Sequence, residues 1–424
     1  MKAARQLSRM GVVVTLMLVY TTNQIDRQLL GILLEPIRQE FHLTDSQLGF
    51  LSGIAFAIFY ATLGIPFGLL ADRTNRRNLI SVALALWSAM TALCGLAANF
   101  AQLLIFRVGV GVGESGTLPT SQSMISDLYA RDERATALGI LSIGANLGVM
   151  TAFMAGGLIG ARWGWRAAFL IFSGTGILLA IFVRLFVPEP VRNGRWSLPL
   201  SPGVSLLVAC AHLWRTPALR NLILAGALAA MVSYAFLAWL PSYLIREFGG
   251  TTATVGPLLS IVVGAGGCLG TLLGGMAADR FGRRDTRWHV WVSGIALLLA
   301  APAFVAALLV NNFWLAIGIF ILPMFFGIVY SGPNFALVQG LYPPQMRALG
   351  AAIYLFIVNL VGGGLGPLLV GAASDHMKRQ LGAQSLRWSL ASMAVFWIIS
   401  AWFFYRSGRT LACDLDANTE GRGG

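Results

Sequence analysis

The chain has 424 residues, of which 57% are apolar and only 11% charged, and its mean hydropathy is +0.73. Those values fall outside the range of soluble globular proteins and exclude a soluble enzyme or nucleic-acid-binding domain. A formal net charge of +13 would point to nucleic acid in a soluble chain, but in a polytopic membrane protein it follows from topology. With the N-terminus inside, about 21 of the lysines and arginines fall in cytoplasmic segments.

About twelve apolar runs near 20 residues long, each able as a helix to cross ~30 Å of hydrocarbon, are legible. They fall at 11 to 31, 46 to 70, 78 to 98, 101 to 125, 135 to 160, 166 to 187, 219 to 245, 253 to 277, 288 to 309, 312 to 336, 346 to 372 and 386 to 406. Both termini are then cytoplasmic, and the expected location is the cell (inner) membrane. The run behind Lys2, Arg5 and Arg9 reads as the first span rather than a signal peptide, because it is long and lacks a small-residue cleavage site. The four cysteines and four histidines form no close-spaced metal or redox pair, so no metal site is expected.

The first span carries a polar patch, Tyr20-Thr-Thr-Asn-Gln-Ile-Asp-Arg-Gln-Leu29, in its outer half. Counting 1.5 Å per residue puts Asp26 about 22 Å above the cytoplasmic face. The fourth span contains Phe106-Arg-Val-Gly-Val-Gly-Val-Gly-Glu-Ser-Gly116. Its Arg107 and Glu114 are two turns apart on one face, and Arg107 sits about 9 Å below the outer face, nearly level with Asp26. An ionised side chain near the bilayer centre costs at least ~2.5 to 3.5 kcal/mol, so such groups face a water-filled cavity or one another and mark transport paths. Asp26, Arg27, Arg107 and Glu114 sum to zero charge. A proton taken up by either carboxylate leaves the set positive, which is a physical basis for coupling protons to an anionic solute. Adjacent helical residues point about 100° apart, so one of Asp26 and Arg27 meets the fourth span and the other the cavity, with Glu114 expected to hold Arg107. Two plainer alternatives remain open: a structural ion pair that pins helix packing, and an Asp26-Arg27 pair sitting in headgroup water. Gly109 and Gly113 form a small-xxx-small pair that admits a neighbouring backbone.

After the second span comes Gly68-Leu-Leu-Ala-Asp-Arg-Thr-Asn-Arg-Arg77, and after the eighth comes Gly275-Met-Ala-Ala-Asp-Arg-Phe-Gly-Arg-Arg284. The register of Gly, Asp-Arg and Arg-Arg in both loops signals an internal duplication of six spans. Leu128-Tyr129 before Arg134, echoed by Leu341-Tyr342 before Arg347, supports it. Positive-inside anchoring explains the arginines but not the repeated Gly and Asp. Gly68, Asp72, Arg73, Arg76 and Arg134, with Asp279, Arg280 and Arg283, are therefore expected to form conformational latches.

The duplication does not extend to the intramembrane charges: carried forward by 213 residues, Arg107 falls on Phe320 and Glu114 on Gly327. The second half offers aromatic and amide groups instead. Tyr234 in the seventh span, Tyr330 and Asn334 in the tenth and Asn359 in the eleventh are candidate substrate contacts, with Tyr60 of the second span; packing is the competing reading for any one of them. Residues 188 to 217 are a proline-rich and arginine-rich break, read as a cytoplasmic linker in which Val204 to Trp214 lie along the membrane surface. The polar tail after Arg406 is expected to be disordered.

Twelve spans in two halves with Gly-x-x-x-Asp-Arg-x-[Gly/Asn]-Arg-Arg in both resemble the major facilitator superfamily over essentially the whole chain. The first half is similar to the spinster family through Asp26-Arg27, Asn75 in the first loop, Arg107-x6-Glu114 and Ser126-Asp127-Leu128. That resemblance implies a rocker-switch secondary transporter with a central cavity. It also implies export or flipping of lysolipids and sphingoid lipids, with Asp26 responding to protons alongside Arg107 and Glu114. Gly113-Glu-Ser-Gly-Thr-Leu-Pro119 and Trp163-Gly-Trp-Arg-Ala-Ala-Phe169 are similar to anion symporters that take up sugar acids and aromatic acids, so organic-acid import stays open.

The expected fold is an all-α polytopic membrane protein of twelve transmembrane helices in two pseudo-symmetric six-helix halves. Its expected parts are 1–187, a linker at 188–217, 218–406 and a tail at 407–424. The expected function is proton-coupled secondary transport of an anionic, amphiphilic solute or lysolipid. Asp26 and Glu114 would couple protons, and Arg27, Arg107, Tyr60, Tyr234, Tyr330, Asn334 and Asn359 would bind substrate. A non-transporting membrane sensor is the alternative of another class. Enzymatic activity is not expected, because arginines beside both carboxylates oppose the raised pKa of an acid catalyst. The proton gradient replaces any cofactor. The expected partners are the small-molecule or lipid substrate and the bilayer, not nucleic acid, and the chain is expected to be a monomer.

Overall fold

The protein is described from a computed structural model covering residues 7–130, 133–190, 205–343 and 345–420, the side chains of 65, 68, 69, 72, 135, 348 and 416–420 excepted. It is almost wholly helical, with no strand among the described residues. The helices are α1 (Arg9–Phe41), α2 (Asp45–Ser52), α3 (Ile54–Arg73), α4 (Arg76–Leu96), α5 (Phe100–Glu114), α6 (Thr117–Leu128), α7 (Arg134–Phe186), α8 (Leu206–Arg215), α9 (Pro217–Phe248), α10 (Thr252–Gly282), α11 (Trp288–Leu309), α12 (Phe313–Ile328), α13 (Ser331–Leu341), α14 (Arg347–Ile357), α15 (Gly366–Leu381) and α16 (Ser385–Glu420). A π-helical segment, Val358–Leu365, joins α14 to α15.

Among the described residues, eight helical stretches are long and apolar enough to cross a membrane, and two of them, Thr136–Phe186 and Leu349–Leu415, each hold two of the expected spans. The first and fourth spans fall outside this set, because the polar and charged side chains of α1 and α5 dilute their apolar character. Bulky apolar side chains such as Val82, Ile105, Leu178 and Trp314 point outward, as a lipid-facing surface requires.

The chain divides into two compact units, the first comprising Met1–Ser197 with Leu240–Ser260, the second Leu198–Trp239 with Ile261–Gly424. Unit 1 is built on the packing of α1 against α7. A methyl group on Gly144 or Gly148 would stand 2.5 Å from the Met17 or Thr21 carbonyl oxygen, and one on Gly156 or Gly160 within 2.7 Å of Leu29 or Leu33. A four-residue ladder of glycines thus lets the two backbones touch, which replaces the hydrophobic driving force that lipid cannot supply. Within α7 the fifth and sixth spans part at Gly164, whose φ of 83° and ψ of 161° interrupt the helix. Only glycine adopts that conformation without strain. Residues 240–260, the outer hairpin of α9 and α10, pack within unit 1, where Gly256 lies against the Phe153 carbonyl and Gly157.

The core of unit 2 is aromatic. Phe304 packs against Phe236, Phe320 and Trp397 with ring centroids 5.3 to 6.3 Å apart, and the Trp239 and Trp397 indoles donate to the Pro367 and Ala229 carbonyls. The expected surface helix forms as α8, tied down by His212 Nε2 against the Leu341 carbonyl at 3.1 Å and leaving Leu206, Leu207 and Trp214 exposed. The tail departs from expectation, because α16 continues to Glu420 instead of ending near Arg406. The cause is a long-range contact: the Asp414 carboxylate accepts from the Ala218 backbone N–H at 2.8 Å, Ser407 donates to the Ala218 carbonyl, and Leu411 is fully buried. The helix dipole favours a carboxylate at the start of α9.

Candidate functional site

The intramembrane charges converge in unit 1, and α5 is the element that assembles them. Its glycines open two sides. On one, Gly111 and Gly116 bring α3 close, since a methyl group on either would meet Phe56 O at 2.9 Å or Phe67 Cβ at 2.7 Å. On the other, Gly109 and Gly113 bring α4 close, with the same test giving Met90 Sδ at 2.6 Å and Trp87 Cβ at 2.8 Å. Arg107 and Glu114, on the same helix, are 2% and 1% exposed.

The pairing differs from the expected one. Arg27 Nε donates to Glu114 Oε2 at 3.0 Å, whereas Arg107 donates from Nη1 to the Asp26 carbonyl at 2.9 Å and from Nη2 to the Arg27 carbonyl at 3.3 Å. Glu114 therefore holds Arg27 and not Arg107. Side-chain direction explains the exchange. Helical side chains lean toward the N-terminus, so Arg27 reaches back toward the start of α1, the level at which Glu114 lies. Helix carbonyls point the other way, toward Arg107 further out on α5. The Arg27 guanidinium lies 3.9 Å from the Tyr60 ring centroid and 4.9 Å from Phe56, and Arg107 lies 5.3 Å from Phe56. Tyr60 thus covers Arg27, which aligns the cation by its π face.

The Asp26 carboxylate turns away from the Arg27 side, toward α4. The Thr91 hydroxyl and Trp87 indole face it without closing a hydrogen bond of ordinary geometry. Neither residue stood out in the sequence, where they read as part of an apolar run. Asn23 faces Glu114.

In unit 2, Tyr330 and Asn334 are brought together with a residue the sequence did not single out, Tyr354. Asn334 Nδ2 donates to Tyr354 Oη at 3.0 Å and to the Leu222 carbonyl at 3.3 Å, and Tyr234 lies near both phenols. Gly226 makes room, because any side chain there would strike the Asn334 amide and the Tyr354 hydroxyl. Asn359, in the π-helical segment, stands apart, its amide donating to the Leu355 carbonyl at the end of α14 at 2.8 Å.

Among the expected latch residues whose burial is described, Arg76 is the buried one. It donates to Asp127 Oδ2 at 2.6 Å, Glu189 Oε1 at 3.1 Å and Ser123 Oγ at 3.1 Å, while Glu189 Oε2 accepts from the Arg77 backbone N–H at the start of α4. Arg134 donates to the Ser126 carbonyl at 2.7 Å and Arg347 to the Tyr342 carbonyl at 3.4 Å, so the paired arginines close equivalent helix ends. Arg73 is exposed, and the surroundings of Gly68 and the side chain of Asp72 lie outside what is described. Of the second set, Asp279 and Arg280 lie exposed in the last turn of α10 and Arg283 lies exposed in the turn that follows.

A charged cluster at the end of unit 1 where α1 meets α2 escaped the sequence reading. Arg246 grips Asp45 with two hydrogen bonds of 2.8 and 2.9 Å and reaches Glu35 at 2.7 Å, and Arg38 also pairs with Glu35 at 2.7 Å. Glu35 lies beyond the first span as read at 11 to 31. Burial opposes its ionisation, but Arg38 and Arg246 together outweigh burial and hold its carboxyl below the usual carboxylate range. The clue was the scarcity of outer charges under positive-inside topology, which makes a run such as Glu35, Arg38, Glu40 and Asp45 informative. Among the described residues no group of His, Cys, Asp and Glu could hold a metal.

The model of the Major Facilitator Superfamily matches residues 16–367. An MFS-type efflux pump of Mycolicibacterium smegmatis is 34% identical over 373 residues, which is 88% of this chain and 86% of that protein. A sphingosine-1-phosphate transporter of Danio rerio is 27% identical over 396 residues, covering 88% of this chain and 77% of the relative. Among solved structures, a bacterial homolog of the human lysosomal transporter spinster in an inward-facing, unoccupied conformation superposes with a TM-score of 0.87. It has 31% sequence identity, over 96% of this chain and 98% of that one.

Proposed function

Since this chain belongs to the Major Facilitator Superfamily as a spinster-like membrane transporter and not an enzyme, we propose that it moves an anionic amphiphile across the cell membrane by alternating access coupled to protons. The observation that carries this reading is the charge-neutral set in unit 1 of buried Asp26, Arg107 and Glu114 with the partly exposed Arg27. When the set is ionised its charges cancel. Protonation of one carboxylate adds a net positive charge beside two arginines, so the proton and an anionic headgroup stabilise each other. Arg27 and Arg107, both set against aromatic rings, supply cationic surface for a carboxylate or phosphate. The Tyr330, Asn334, Tyr354 and Tyr234 group offers neutral polar contacts. Similarity to an efflux pump and a sphingosine-1-phosphate transporter supports an amphiphilic cargo moving outward, in an inner membrane with both termini cytoplasmic.

The test is proton movement in sealed proteoliposomes carrying a pH dye, challenged with lysophospholipids, sphingosine-1-phosphate, sugar acids and aromatic acids. Proton flux with the amphiphiles, abolished by Asp26→Asn, is expected. Flux with the small acids alone would replace this reading by organic-acid symport.

A further inference from the structure

The polar groups that unit 1 leaves unsatisfied are concentrated around Asp26. Among the described residues, Asp26 Oδ1, Trp87 Nε1, Ser88 Oγ, Thr91 Oγ1, Arg107 Nε and Glu114 Oε1 are all buried without a hydrogen-bond partner. Buried polar atoms are otherwise nearly always satisfied. Three of the six belong to α4, at positions 87, 88 and 91, which share one side of that helix. Their chemistry is complementary: the indole only donates, Asp26 Oδ1 accepts when ionised, and the two hydroxyls do either. Such a set suits an internal water, which needs two to four polar partners.

The set has a direction. Thr91 and Trp87 face Asp26, while Ser88 lies one turn toward the cytoplasmic end of α4, where its hydroxyl fills the space left by the missing side chain of Gly176, beside Thr22. Two turns further in, about 10 Å along α4, Ser81 Oγ donates to the Ala180 carbonyl at 2.9 Å. The Ser88 and Ser81 hydroxyls therefore lie along the seam of α4 and α7 inward from Asp26, with the Thr22 methyl of α1 beside Gly176. The anion-facing groups lie elsewhere, with Arg27 covered by α3 and paired to α5. The charged and titratable groups around Asp26 are Arg107 and Glu114 on α5, Cys94 on α4 and the adjoining Arg27, while α7 presents Gly176 and Ala180 at this seam.

We propose that Trp87, Ser88 and Thr91 form a buried hydration pocket behind Asp26 that delivers its proton along the seam of α1, α4 and α7, apart from the arginines that meet the anion. This deepens the proton-coupled reading above and rests on it. In the transfer step a hydronium O–H bond breaks, a new O–H bond forms on Asp26 Oδ1, and neutral water remains. The carboxylate becomes a carboxylic acid, and no other bond changes. Thr91 and Ser88 act as relay partners for the water, and Trp87 orients it.

The probe is the proton itself. Purified full-length protein is subjected to a pH jump in the presence of an indicator dye, and the uptake component that Asp26→Asn removes is followed. Thr91→Val and Ser88→Ala are expected to slow that component at least tenfold at unchanged amplitude, and Thr91→Ser to restore the wild-type rate. Wild-type rates in both Val and Ala variants would overturn the pocket, as would the absence of an Asp26-dependent component in the wild type. Infrared difference spectra across the same pH range guard against a folding defect. The carboxylic-acid band lost in Asp26→Asn should shift in Thr91→Val and Trp87→Phe, and a stationary band would refute the contact. Neither readout needs a cargo, so silent proteoliposomes with intact pH-jump kinetics would overturn the transport reading and leave the pocket standing.

Discussion

Replacing Glu114 by Gln tests the central ion pair without changing its shape. The Arg27–Glu114 contact is 3.0 Å long, with the Glu114 side chain fully buried and that of Arg27 13% exposed. At an effective dielectric of about 20 the direct attraction is about 5.5 kcal/mol before desolvation is counted. Glutamine still accepts from Arg27 Nε, but it leaves a cation without its counter-charge, and breaking a buried pair in this way costs about 3 to 5 kcal/mol. Arg27→Gln should cost as much and lose in addition the stacking on Tyr60, about 1 kcal/mol. The double variant removes both charges, so its loss should fall short of the sum of the two single losses by about 3 kcal/mol. Reversible unfolding in mixed micelles, followed by tryptophan fluorescence, measures all four proteins. Additivity within about 0.5 kcal/mol would refute the claim that the two residues act as a pair.

Other consequences are equally direct. Arg246→Ala should destabilise the protein by about 1 to 3 kcal/mol, because it removes two hydrogen bonds to Asp45 and one to Glu35; thermal unfolding at neutral pH measures it. Because the Glu35 carboxyl is held below its ordinary range, its contribution is fully present above the ordinary carboxylate pKa and disappears as pH falls through the lowered one. The difference between wild type and Arg246→Ala should therefore shrink in acid, and a constant difference down to pH 3 would contradict the assignment. Gly148→Leu should abolish assembly, since even a methyl group there stands 2.5 Å from the Thr21 carbonyl, whereas Gly139→Leu, which faces open space, should be tolerated; size-exclusion profiles separate the two. Tyr354→Phe should cost about 1 to 2 kcal/mol by removing the acceptor of Asn334, and an unchanged unfolding midpoint would argue against that bond.

The architecture was legible because its causes are local. Span length, positive-inside charge and the repeated Gly-x-x-x-Asp-Arg loop each read directly from neighbouring residues. The level of Asp26 against Arg107 also followed from simple helix arithmetic. What that arithmetic could not supply was side-chain direction, and so Glu114 was matched with Arg107 when Arg27 is its partner. Trp87 and Thr91 carried no charge to mark them, and their relevance comes from Gly113, which brings α4 against α5. Tyr354 was hidden for a similar reason, its link to Asn334 depending on Gly226. The helical tail was missed because Asp414 is stabilised by the start of α9, a partner far away in sequence. The ladder of Gly144, Gly148, Gly156 and Gly160 was within reach of the same small-xxx-small reasoning applied to Gly109 and Gly113.

The Arg27–Glu114 pair also bears on how the chain is made. The two residues are 87 positions apart, so at usual translation rates of about 5 to 20 residues per second, Arg27 is synthesised roughly 4 to 17 s before its partner. During that interval the first span holds two charges whose insertion into lipid costs at least ~2.5 kcal/mol each. That cost favours a first span that stays beside the translocon until the fourth span arrives with Glu114. The buried charges thus predict an order of assembly, in which the first four spans enter the membrane as a cohort. Nascent chains stalled after each span should show the first one becoming resistant to alkaline extraction only once Glu114 has emerged, and Glu114→Gln should delay that moment.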